Sequence, residues 1–182
     1  AVSAEAFRPR DILRSRKGLT VEVLDTDAEG RLVLGDALAY ACEDPPDFLI
    51  DFATLTGAAR VALGFDVPAL FAARAETGRE IQSLALSLED PLWQMPLWKP
   101  YARELEGEIS DLVNIGSGPA GSITAALFLE KFVTAGADWV HLDLYAWEQS
   151  GKPGRPKGGA EMGFRTVLSY LRSRFCALSP AG

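Results

Sequence analysis

The stretch that decides the fold lies between residues 24 and 32, and it reads Leu24-Asp25-Thr26-Asp27-Ala28-Glu29-Gly30-Arg31-Leu32. Three acids and one arginine lie within seven residues of it. An apolar, β-branched run at 19–24 precedes the acids, and a helix-like run at 31–41 follows them. Because a solvated charge run needs no such flanks, the stretch predicts a strand-to-helix junction that holds a cluster of charges in place.

The spacing of the acids indicates their chemistry. Residues two apart in extended backbone point the same way, so Asp27 and Glu29 are expected to converge at the end of the strand. Like charges that close repel, which predicts a shared proton or a bound cation, and hard cations prefer oxygen ligands. The amides that open the next helix, together with Arg31, predict an anion site beside the metal. A charged turn that caps the helix is the alternative.

Composition limits the function classes. The 182 residues suffice for one domain with a sizeable core. A net charge of -7 argues against a nucleic-acid surface. The 2 cysteines form no CxxC pair, which predicts a reducing, cytoplasmic compartment. No apolar run approaches the ~18 residues of a membrane span, so no membrane partner is expected. The start lacks a secretory signal and an initiating Met, and we expect it to be a cut rather than a true terminus.

Strand-like and helix-like runs alternate along the chain, which predicts an α/β fold: a mostly parallel or mixed sheet with helices on both faces. Strands are predicted at 12–13, 19–24, 48–52, 69–73 and 139–144. Helices are predicted at 31–41, 58–63, 76–88, 123–133 and 161–175. Three prolines exclude one regular element at 90–101, where Trp93 and Trp98 are predicted to lie in the core or at an interface.

A second candidate site follows the predicted strand at 48–52. The loop reads Thr54-Leu55-Thr56-Gly57, and ligands of open α/β sheets bind at the carboxyl ends of strands. Gly57 permits close backbone approach, and the amides of Leu55 and Gly57 are placed to pair with a peptide-like ligand. A plain strand-to-helix turn is the alternative.

Other motifs carry less weight. The Gly-rich loop at 116–122 lacks the Lys of a P-loop, so we predict a tight loop that leads into a helix. His141 is the only histidine and is predicted to be a hydrogen-bonded structural residue rather than a metal ligand. The acidic stretch also resembles the start of an EF-hand calcium loop with Asp36 at the twelfth position. An EF-hand needs a preceding helix and usually a Glu at that position, so this alternative ranks lower.

Several segments together resemble the leucine (cytosol) aminopeptidases. Residues 21–32 closely match that family's signature, Asn-Thr-Asp-Ala-Glu-Gly-Arg-Leu. The segments at 53–58, 114–126 and 139–143 resemble the family's substrate loop, its Gly-rich loop with the following helix, and its late strand. The resemblance extends from about Phe7 to the last predicted helix.

The resemblance implies roles for individual residues. Asp27 and Glu29 would be metal ligands, with Glu29 bridging two divalent ions, zinc or manganese. Arg31 would be catalytic, holding a bicarbonate-like anion that acts as general base. The substrate-binding residues would be Thr54, Leu55 and Gly57, through backbone groups. The implied reaction is release of N-terminal residues from peptides by a metal-activated water, and the implied assembly is a homo-oligomer, a hexamer in the family.

Three departures from the family qualify these expectations. Asp25 replaces the usual Asn and adds a negative charge. After Asp143 the chain reads Leu144-Tyr145-Ala146-Trp147 where the family has Ile-Ala-Gly, which puts a preference for leucine in doubt. The upstream lysines and aspartates of the family's site have no counterpart here. We therefore expect residues 1–182 to be the C-terminal part of a catalytic domain, without the family's N-terminal domain. The alternative is a non-catalytic scaffold or assembly homologue.

Overall fold

A computed structural model of the chain describes residues 3–176. The strands are β1 (Ile12–Arg14), β2 (Thr20–Glu22), β3 (Leu49–Ala53), β4 (Ala69–Ala72), β5 (Trp93–Gln94), β6 (Leu112–Val113), β7 (Trp139–Asp143), β8 (Trp147–Glu148) and β9 (Gly158–Gly159). The α-helices are α1 (Gly30–Ala41), α2 (Gly57–Leu63), α3 (Ala75–Ser87), α4 (Gly121–Glu130) and α5 (Phe164–Phe175), and Lys99–Leu105 forms a 3₁₀ helix. The predicted alternation of strands and helices is confirmed.

The central sheet has the strand order β3-β7-β4-β5. Strand β7 pairs in parallel with β3 and antiparallel with β4, and β5 pairs in parallel with β4. A smaller sheet, β1-β2-β6, carries the acidic stretch at one of its strand ends, and β8 pairs with β9. The sheet is therefore mixed, as predicted.

Helices cover both faces of the central sheet. Leu70 and Leu142 pack with Ile81 of α3 and Val167 of α5 on one face. On the opposite face Phe71 packs against residues of α2 and α4. Successive residues of a strand alternate between faces, so a single buried strand such as β4 supplies both halves of the core.

Two sequence predictions need correction. The strand predicted at 19–24 ends at Glu22, and the acids that follow it form a turn. Trp93 and Trp98 are 51% and 54% exposed, so neither belongs to the core; an interface role for them stays a prediction. His141 is fully buried and hydrogen-bonded to Asp51, as predicted for a structural histidine. None of the helices between residues 3 and 176 combines the length and the hydropathy that a membrane span needs.

Candidate active site

Three segments surround one cavity of about 550 Å³. They are the acidic turn before α1, the loop at 54–57 before α2, and the Gly-rich loop before α4. The six site residues predicted from the sequence all line this cavity, and they are Asp27, Glu29, Arg31, Thr54, Leu55 and Gly57. Residues that lie far apart along the chain are thus brought to one place.

The acidic turn presents its carboxylates differently from the prediction. Residues 25–29 are not extended: Asp25 Oδ1 accepts a hydrogen bond from the Asp27 amide at 2.9 Å, and Glu29 has helical dihedral angles (φ -74°, ψ -32°). The prediction that Asp27 and Glu29 converge because they are two residues apart in a strand is therefore wrong in its reason. Asp27 and Glu29 nevertheless border the same cavity, and both are exposed to it and to solvent.

Asn114 holds the acidic turn in this shape. Its fully buried side chain accepts hydrogen bonds from the amides of Leu24 (2.8 Å) and Asp25 (3.2 Å) and donates one to the Asp25 carbonyl at 2.6 Å. Its own carbonyl accepts a hydrogen bond from Arg31 Nη1 at 2.9 Å. Asn114, which directly follows β6, thus fixes both the acidic turn and the side chain of Arg31.

Arg31 is a buried cation at the cavity wall. Its exposed fraction is 6%, and among residues 3–176 its Nε has no hydrogen-bond partner. Burial lowers the pKa of the guanidinium, and the nearby Asp143 and Asp25 carboxylates counter this in part. An arginine in a protein stays protonated at neutral pH, so the wall carries a positive charge and an unused donor.

Asp143, at the end of β7, shapes the loop at 54–57. Its Oδ1 accepts hydrogen bonds from the amides of Leu55 (3.0 Å) and Thr56 (3.1 Å), and its Oδ2 accepts one from Thr56 Oγ1 at 2.6 Å. The predicted use of the Leu55 amide for a ligand is therefore wrong, because Asp143 already occupies it. Within residues 3–176, the Gly57 amide in the first turn of α2 and the Leu55 carbonyl have no hydrogen-bond partner, so both are available to a ligand.

The Gly-rich loop is a tight connection into α4, as predicted. Glu104 accepts a hydrogen bond from the Gly118 amide at 3.1 Å, and a Cβ at Gly118 would lie 2.8 Å from that Glu104 oxygen. The loop ends at Ala120, whose φ of 69° is left-handed. Packing of Gly121 beside Ala58 brings the helix start against α2, which closes the cavity on this side.

Sequence reasoning missed two residues that build the site, Asn114 and Asp143. Each lies at the carboxyl end of a strand, which is where ligands of α/β sheets bind, and that position was the available signal. Across residues 3–176, no group of three or more His, Cys, Asp or Glu side chains is gathered closely enough to hold a metal ion. The carboxylates of Asp27 and Glu29 would therefore form a partial ligand set.

Comparison with known proteins shows the class of protein. The catalytic-domain model of the cytosol aminopeptidase family matches residues 1–168. The chain belongs to the cytosol aminopeptidase family.

Individual relatives agree with this assignment. A "Probable cytosol aminopeptidase" of Syntrophotalea carbinolica is 46% identical over 171 residues, which cover 93% of this chain and 34% of that protein. The crystal structure of the cytosol aminopeptidase from Coxiella burnetii superposes with a TM-score of 0.91 at 46% identity, covering 95% of this chain and 38% of that one. The bottromycin maturation enzyme BotP, in complex with Mn, superposes with a TM-score of 0.85 at 36% identity, covering 93% and 39%. The chain spans about a third of the length of the curated relatives it matches.

Proposed function

We propose that the chain is the C-terminal half of the catalytic domain of a metal-dependent aminopeptidase, which releases N-terminal residues from peptides. The observation that carries the proposal is the cavity on which all six motif residues meet. It combines two exposed carboxylates, a buried cation and a loop with free backbone groups. In hydrolysis of a peptide bond at a metal centre, the carboxylates would hold the ions, the cation would hold an anion, and the backbone groups would orient the peptide.

Asp27 and Glu29 would hold two divalent ions, zinc or manganese, through their oxygen atoms, and the resemblance assigns Glu29 to both ions. The related BotP forms a complex with Mn, which supports a divalent ion at this site. Bound there, the ions would supply the nucleophile by lowering the pKa of a water molecule. Two such ions need more ligands than this pair of carboxylates provides. We propose that residues outside 1–182 complete the set, in keeping with the relatives' greater length.

Arg31 fits the bicarbonate-like anion that serves as general base. Its buried guanidinium has a donor without a partner within residues 3–176, and it lies beside the acidic turn. Thr54 and Leu55 would align the peptide, and the Gly57 amide would donate to a substrate carbonyl, so that the bond to be cleaved lies over the carboxylates. Asp143 keeps this loop in position through its three hydrogen bonds.

The wider context is part of the proposal. The relatives are called cytosol aminopeptidases, which supports a cytoplasmic location. The proposed partners are peptides, and we expect binding to neither nucleic acid nor a membrane. The proposed assembly is a homo-oligomer, which the family resemblance makes a hexamer. The rival hypothesis of a non-catalytic scaffold requires that the full protein lack the remaining metal ligands. An EF-hand calcium module is disfavoured because a strand, β2, stands where its first helix is needed.

The isolated chain is expected to be catalytically inert and to bind metal weakly, because its ligand set is partial. Zinc or manganese is added to purified residues 1–182, and hydrolysis of leucine p-nitroanilide is followed. Turnover of roughly 1 per second or more would contradict the hypothesis that the chain holds only part of the site.

A second prediction concerns the assembled enzyme, meaning the protein that also contains the proposed residues outside 1–182. Its activity should depend on zinc or manganese, and calcium should not support it. Calcium binding to the chain with a micromolar dissociation constant, measured by calorimetry, would favour the EF-hand alternative instead.

Replacing Asn114 with alanine should loosen the site without removing a metal ligand. The Leu24 and Asp25 amides lose their acceptor, and the turn that carries Asp27 loses its restraint. Loss of a residue that orients metal ligands typically costs about 10- to 100-fold in metal affinity or activity. Metal titration of the assembled enzyme measures the affinity, with Ser117→Ala, in the exposed part of the Gly-rich loop, as control. Unchanged affinity in Asn114→Ala would show that the turn holds its shape by itself.

A further inference from the structure

A second arginine lines the cavity, and the proposed reaction does not use it. Arg60 lies on α2, one turn after the loop at 54–57, and it is half-buried. Its Nη2 would lie 3.6 Å from a Cβ placed on Gly57. One nitrogen of the guanidinium therefore lies close to Gly57, in the loop along which we propose the substrate binds.

Arg60 has no charged partner in the part of the chain that the structure describes. Among the residues that the structure describes, its side chain takes part in neither a hydrogen bond nor a salt bridge, whereas Arg10 and Arg174 each pair with a carboxylate. The acids of the acidic turn line the same cavity and still do not pair with it. The five donors of its guanidinium thus remain available to a ligand.

A pair of aromatic rings, tilted against each other, lies beside Arg60. Its guanidinium carbon lies 5.5 Å from the centroid of the Tyr145 ring, within the range of a cation–π contact. The Phe65 ring packs on Tyr145 with centroids 4.6 Å apart. Tyr145 belongs to the segment at 144–147 that departs from the family pattern. One of the residues that differ from the family pattern therefore contacts this cation.

We propose that Arg60 binds a carboxylate of the peptide substrate. A planar guanidinium beside the substrate loop can engage a carboxylate through two parallel hydrogen bonds, which selects for that group over neutral ones. The carboxylate has two possible sources: an acidic side chain on the N-terminal residue, or the C-terminal carboxylate of a dipeptide. The inference rests on the proposed aminopeptidase function and adds a substrate class to it.

The test compares substrates in pairs with the assembled enzyme. Glutamate p-nitroanilide against leucine p-nitroanilide probes the side-chain source, and Leu-Gly against Leu-Gly-amide probes the C-terminal source. The preference within a pair is measured as kcat/KM for the substrate with the extra carboxylate divided by kcat/KM for the substrate without it. In Arg60→Gln this ratio should fall about 10- to 100-fold for one of the two pairs. Arg60→Lys should restore part of it, and Tyr145→Ala should weaken it. Arg79→Gln, an exposed arginine of α3, is the matched control and should leave both ratios unchanged.

Two failures are distinguishable. If the enzyme is active and both ratios stay the same in Arg60→Gln, the carboxylate site is wrong and the proposed function stands. If no peptide is hydrolysed, the proposed function is wrong, and binding decides the inference. The 182-residue chain is then titrated with glutamic acid α-amide, Leu-Gly and leucinamide, and the Arg60 Nε–H resonance is followed, assigned by its loss in Arg60→Gln. The proposal is overturned if neither carboxylate ligand shifts this resonance, or if leucinamide shifts it equally.

Discussion

Replacing Glu29 with glutamine in the assembled enzyme is expected to lower kcat/KM for leucine p-nitroanilide by roughly 10³-fold. Glu29 borders the cavity beside Asp27 and is proposed to bridge two metal ions. The substitution removes the negative charge that we propose holds the ions. Metal centres supply several kcal/mol of transition-state stabilisation, and each 1.4 kcal/mol is worth about tenfold in rate. Steady-state kinetics at saturating metal measure the effect.

The control for this variant is Glu161→Gln, an exposed acid before α5 that has no ion pair within residues 3–176. It should leave kcat/KM unchanged. Metal content, measured on the same samples, should fall in Glu29→Gln and not in the control. A Glu29→Gln enzyme with activity within about tenfold of the parent would show that the carboxylate is no bridging ligand.

The second large effect concerns stability. Asp51, on β3, is buried with an exposed fraction of 9%, and it accepts hydrogen bonds from two side chains of β7. Its Oδ1 lies 2.5 Å from His141 Nδ1, and its Oδ2 lies 2.8 Å from Trp139 Nε1. Asp51→Ala leaves both polar groups buried without a partner, so the free energy of unfolding should fall by about 3–5 kcal/mol.

Urea unfolding followed by circular dichroism measures this loss, provided that the dependence on urea concentration is the same in both proteins. Asp51→Asn keeps one acceptor and should lose roughly half as much. Asp47→Ala, at an exposed position just before β3, should change the free energy of unfolding by no more than about 0.5 kcal/mol. A loss below about 1 kcal/mol in Asp51→Ala would mean that water or a rearranged side chain satisfies the two groups.

Most of the regular structure was predictable because hydrophobic periodicity is local. The helix predicted at 31–41 is α1 (Gly30–Ala41), and the strand predicted at 69–73 is β4 (Ala69–Ala72). The last helix begins at Phe164 rather than at residue 161, because Gly163 before it takes a left-handed φ of 75°. A single glycine of this kind leaves the hydrophobic pattern unchanged and is easily passed over.

The shape of the site was less predictable, because it depends on single contacts between distant residues. Asn114 bonds the amides of Leu24 and Asp25 from about 90 residues away, and this converts a predicted strand end into a turn. Asp143 captures the Leu55 amide over a similar separation. No local sequence pattern predicts such hydrogen bonds between distant residues. The motif therefore identified residues that share a cavity, whereas the way they are presented required the structure.

The order of strands in the central sheet has a consequence for how the chain folds. Strand β7 lies between β3 and β4, yet it follows both in the chain. The contact of its His141 with Asp51 of β3 spans 90 residues. During synthesis the two earlier strands have no inner neighbour until residues 139–143 leave the ribosome, which at about 5–20 residues per second takes several seconds. Such non-local pairing is slow to form and leaves apolar strand edges open in the meantime. We therefore expect aggregation of the nascent chain to be most pronounced before the strand that fills the central sheet, β7, is made.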